Sequence, residues 1–84
     1  MKPNPHLKAA IMEVVENQLC HRDPPETKET LERLLGEGHD EDEARRLIGC
    51  VVVSEIFDIM KKSEPFDATR YAQMLARLPT LPDD

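Results

Sequence analysis

Prolines and glycines cut this chain into short pieces, and nearly every cut is flanked by a helix signal. Asn4–Pro5 opens the first piece and Asp23–Pro24–Pro25 the second. Gly36 to Asp40 separates the second from the third, Pro65 to Asp67 lead into the fourth, and Pro79 closes it. A chain of 84 residues divided this way has room for short helices around one core, and not for two domains.

The spacing predicts four helices, at about 5–20, 24–35, 41–62 and 68–78, with a frayed tail over 80–84. In the first, Asn4 is a natural N-cap and Pro5 suits the first helical position. Leu7, Ile11, Val14, Val15 and Leu19 recur at helical spacing and make one apolar stripe. Gln18 lies beside that stripe, so its amide must find a partner or reach the rim. In the second, Asp23 and Glu26 have capping-box spacing, and Leu31, Leu34 and Leu35 form the apolar side. Gly36 and Gly38 end it.

The third helix is the longest. Asp40 and Glu43 form a second capping box, acidic residues fill the first turn, and Lys61 and Lys62 fill the last, as the helix dipole favours. Apolar residues at Ala44, Leu47, Val51, Ile56, Ile59 and Met60 keep helical spacing. The run Ile48 to Val53 covers every side, so this helix is expected to be buried nearly all round, Cys50 included. In the fourth, Asp67 caps, Phe66 and Tyr71 stand as a hydrophobic staple, and Tyr71, Met74, Leu75 and Leu78 form the stripe.

The expected fold class is therefore all-α, a compact four-helix domain with a long central third helix and a radius of gyration of about 12 Å. Chains this small bury only about 60–65% of their unfolded surface, so self-association would add stability. Leu47, Val51, Val52 and Val53 are the expected association surface.

Composition narrows the function. The formal net charge is -6, which argues against a nucleic-acid binder. The segment from Leu31 to Val52 has the outline of a helix-turn-helix, but Asp40 to Glu43 would set four carboxylates against the phosphates. No Trp, one Tyr and two Phe make a poor base-stacking platform. No apolar run approaches the roughly 18 residues of a membrane span, and the N-terminal stretch has no signal-peptide pattern. The expectation is a cytoplasmic chain with no membrane partner. Cys20 and Cys50 allow one disulfide, but in that compartment both are expected reduced.

Catalytic and metal signals are sparse. There is no GxSxG, no P-loop and no Gly-rich dinucleotide turn. Glu13 and Glu16 share a helical face, as solvated acidic faces commonly do. His6, His21 and His39 include no pair at HxxxH spacing, and the cysteines form no CxxC. Neither an enzyme nor a cofactor is expected.

The stretches NPHLKAAIMEVVENQL, PPETKETLERLLGEGHDEDEARRLIG and EPFDATRYAQMLARLP resemble a group of small uncharacterised bacterial all-helical proteins. In that group the opening reads roughly NPxLHxxxHxxxExQ and a second helix roughly HExxH. Asn4–Pro5, Glu16-x-Gln18, Pro24–Pro25, Arg33–Leu34 and Gly38 all fit in order. The resemblance implies a fold more than an activity. Its histidine pairs have the look of a metal site on neighbouring helices. Carried over, those positions fall on Lys8, Met12 and Glu16 of the first helix and on Asp42 and Arg46 of the third. Only the Glu matches, and Lys and Arg do not ligate cations in their charged forms. An interhelix ionic cluster of Lys8, Glu16, Asp42 and Arg46 is expected in place of a metal, with Glu16–Arg46 as its best pair. The expected function is protein–protein association, as a homo-oligomer or as an adaptor for another protein. The alternative is a metal-binding protein drawing on His6, Cys20, His21, His39 or Glu16.

Overall fold

Helix boundaries fall at the punctuation. The computed structural model describes residues 5–81, with α1 (Pro5–His21), α2 (Pro25–Gly36), α3 (Glu41–Lys62) and α4 (Ala68–Arg77) and no strand among the described residues. The radius of gyration is 12.4 Å. The expected cap Asn4 and tail residues 82–84 lie outside the described residues.

Local chemistry explains the ends. Asp40 accepts the Glu43 amide at 2.8 Å and Asp67 accepts the Arg70 amide at 3.0 Å. Each satisfies one of the four amides a helix start leaves open. The second half of the expected Asp40–Glu43 box is not made; the Glu43 carboxylate lies 3.8 Å from His39 Nδ1 instead. Helix α2 ends in a Schellman motif: His39 N–H donates to Leu34 O and Gly38 N–H to Leu35 O, each at 3.1 Å. Gly38 sits at φ +101°, where a side chain is strained.

Asp23 does not cap α2. Its amide donates to Gln18 O at 3.1 Å and closes α1, with Arg22 left-handed at φ 54°. Pro24 stands at the N-cap of α2, and its carbonyl accepts the Thr27 amide at 3.2 Å. The two prolines remove amides that the first turn could not have bonded.

The core joins Ile11, Val15 and Leu19 of α1, Leu31 and Leu34 of α2, the inner face of α3, and Tyr71, Leu75 and Leu78 at α4. The Phe66 and Tyr71 rings meet at 5.6 Å between centroids, as the staple predicts. Three expected stripe members, Leu7, Val14 and Leu35, are instead exposed.

Helix α3 is not buried all round. Ala44, Leu47, Ile48, Val51 and Val52 face the core, while Cys50, Ile56, Phe57 and Met60 are exposed. In its second half the expected apolar side is only partly inward, with Ile59 half-buried. Glu55 is buried, and Ile56 and Met60 face outward. The cause is Arg70 of α4. It holds the Glu55 carboxylate with two bonds, Nε at 3.1 Å and Nη2 at 2.8 Å, while the Asp67 amide donates to it at 3.4 Å. A buried carboxylate needs such partners.

Candidate functional site

Helices α1 and α3 leave an open channel between them, with a polar end and an apolar middle. The polar end is a cleft of about 650 Å³ beside the N-terminus of α3, lined by Lys8, Met12, Asp40, Asp42, Glu43 and Arg46. It runs into a groove of about 400 Å³ walled by Leu7, Ile11, Met12, Gly49, Cys50 and Val53, with Lys8 and Arg46 at its edge. Gly49 forms the floor where α1 comes close; a Cβ built there meets Ile11 Cγ2 and Met12 Sδ at 3.5 Å each.

Four of the five carried-over positions, Lys8, Met12, Asp42 and Arg46, converge on the polar cleft. Glu16 does not join them. It is exposed and bonded to Arg45, which also holds Glu41 at 3.0 Å. The Glu41 hydrogen bond first, and Glu16 with it, raise the Arg45 pKa. The expected Glu16–Arg46 pair is thus replaced by Glu16–Arg45. Successive helical residues point about 100° apart, so only one of the two arginines can lie along α1. Arg46 instead projects over the channel. Lys8, Asp42 and Arg46 are all exposed, and none forms an ion pair among the described residues.

A metal of the kind the resemblance implies does not fit this donor set. Two of the converging side chains are cations, which repel a metal ion and offer no lone pair. No group of three His, Cys, Asp or Glu able to hold an ion occurs among the described residues. His6, Cys20, His21, His39 and Glu16 form no such group among the described residues. His21 Nδ1 lies 2.8 Å from Asn17 O, and His39 faces Glu43.

The expected association surface is also redrawn. Leu47, Val51 and Val52 are inside the core, because α1, α2 and α4 all pack on that side of α3. Val53 is half-buried. Asp42, Arg46, Cys50, Phe57 and Met60 are exposed and fall within about 80° of the helix circumference, with half-buried Val53 on the same line and exposed Ile56 beside it. Phe57 is 62% and Met60 71% exposed. The spacing 46, 50, 53, 57, 60 alternates four and three, a second helical stripe that was legible beside the core one.

Two functional-grade contacts had weaker signals. The Glu55–Arg70 pair was signalled only by Glu55 falling four residues after Val51, on the inner face. Gln18, expected to need a partner, has two: its Oε1 accepts the Thr27 and Tyr71 hydroxyls, each at 2.8 Å.

No family model, curated protein or solved structure matches this chain. No described helix is long and apolar enough to cross a membrane.

Proposed function

We propose that this chain is a non-enzymatic, cytoplasmic helical domain that works by protein–protein association, and that it does so as a homo-oligomer. The observation carrying this reading is the outer face of α3. Cys50, Phe57 and Met60 are exposed on one stripe and run into the apolar α1–α3 groove, in a chain whose core is already closed without them. A contiguous apolar patch on a small domain marks a contact surface more often than plain surface.

Sedimentation velocity tests the reading. The wild-type chain is expected to sediment as a dimer at micromolar concentration. Phe57→Glu, which changes an exposed side chain and leaves the core intact, is expected to sediment as a folded monomer. A wild-type chain that stays monomeric at hundreds of micromolar overturns self-association.

A further inference from the structure

Apolar surface left in contact with water is unfavourable, and the groove between α1 and α3 is such a surface. Leu7 and Cys50 stand exposed at its lips, and Ile11 and Gly49 are buried at its base. Among the described residues, no carboxylate, amide or hydroxyl side chain lines it. Its two charged members are Lys8 of α1 and Arg46 of α3, which stand where the groove meets the polar cleft and line both. Both are exposed, and neither forms an ion pair among the described residues. Two free cations from different helices, at one end of an otherwise apolar groove, complement an anionic head on an apolar body.

The surroundings narrow that ligand further. Asp40, Asp42 and Glu43 line the cleft beyond the two cations. Their charge repels a second negative charge on the head, so the fit is to a monoanion. Helical rise sets the length: Arg46 to Val53 covers about 10 Å of the α3 axis, the span of an extended chain of about eight carbons. The groove volume of about 400 Å³ is within the range of small-molecule sites.

We infer that the α1–α3 groove binds a medium-chain monocarboxylate, with its alkyl chain along the groove and its carboxylate at Arg46 and Lys8. The guanidinium fork matches the two carboxylate oxygens, and Lys8 adds a point charge beside it. Burial of the chain supplies the affinity, and the cations fix which end enters the cleft. Phe57 and Met60 do not line the groove, so this site goes beyond the self-association proposed above and does not require it.

Cysteine alkylation tests the site. Cys50 lines the groove, while Cys20 is exposed outside it and serves as the internal control. Reaction with iodoacetamide, read at each cysteine by mass spectrometry, is expected to slow at Cys50 as octanoate is added and to stay unchanged at Cys20. Hexanoate is expected to need about tenfold more for half-protection, because two fewer methylenes are buried. Octanol, octylamine and dianionic octyl phosphate are each expected to protect less well than octanoate. Arg46→Gln and Lys8→Gln, both changes of exposed side chains, are each expected to weaken octanoate about tenfold and to leave octanol unchanged, which a collapsed groove would not do. The assay is run on Phe57→Glu as well as on the wild type, so that a dimer contact over Cys50 does not mask the groove. Absence of octanoate protection at Cys50 in both chains overturns the site, whatever sedimentation says of the dimer. Equal protection by octanoate and octanol, or octanoate protection that survives both substitutions, overturns recognition of the carboxylate and with it the inference.

Discussion

At Gln18 a single carbonyl oxygen takes the hydroxyls of Thr27 and Tyr71, both fully or almost fully buried. That links α1, α2 and α4 through one side chain, and α1 and α4 do not otherwise pack together among the described residues. Gln18→Leu would remove the shared acceptor and leave the Thr27 and Tyr71 hydroxyls only each other, so one buried donor loses its partner, at about 1–3 kcal/mol, read by urea denaturation. Burial raises the Tyr71 pKa, against the lowering by its hydrogen bonds to Thr27 and Gln18. The unfolded phenol therefore loses its proton first as pH rises. The associated stability is complete below about pH 10, the unfolded pKa, and is lost as pH climbs through the folded value. Tyr71→Phe is expected to abolish that alkaline loss in denaturation curves measured on either side of pH 10. The Glu16–Arg45 contact is a smaller matter, because Glu16 is largely exposed. A double-mutant cycle with Glu16→Gln and Arg45→Met should give a coupling of about 0–1 kcal/mol, and the same cycle with Arg46→Met none.

Elements in this protein are defined at their ends. Asp40, Asp67 and Gly38 do what their types predict, because a cap bonds amides three residues away and needs nothing from the rest of the fold. Asp23 departs because α2 begins one residue later than a cap at Asp23 requires: Pro24 occupies the N-cap, and the Asp23 amide closes α1. Helix α3 ends with Ser63 in the left-handed region at φ 54°, which glycine adopts without steric cost. Ser63→Gly is accordingly expected to stabilise the chain by about 0.5–1 kcal/mol in chemical denaturation, an effect that would appear in the monomer as well as in any assembly. The long apolar run of α3 was legible as helix but not as a direction. With apolar residues on every side, periodicity does not say which side turns in.

For the whole molecule, the choice of inner face follows from where the other three helices sit. They cover Leu47, Ile48, Val51 and Val52 and leave Cys50, Phe57 and Met60 outside. Arg70 fixes the lower half of α3 by pairing with Glu55, and Asp58 at 4.0 Å and Glu64 at 3.7 Å add charge around the same guanidinium. The Glu55 hydrogen bond, first of all, raises the Arg70 pKa, and its charge holds the α3–α4 corner. If the outer face is an interface, stability is linked to protein concentration by mass action. The wild-type melting temperature should then rise with concentration over the micromolar range in calorimetry. That of Phe57→Glu should stay constant.

The sequence by itself determined the all-α class, the four helices and most of their ends, and the chemistry unsuited to holding a metal at Lys8 and Arg46. Those follow from interactions a few residues long and from side-chain type. Tertiary structure alone decided three things: which arginine meets Glu16, that Glu55 rather than Ile56 faces inward, and that Val51 and Val52 belong to the core while Phe57 and Met60 belong to the surface. Each depends on partners from another helix. A carboxylate is buried only where a guanidinium from α4 arrives to bond it, and an apolar side is interior only where neighbouring helices exclude water from it.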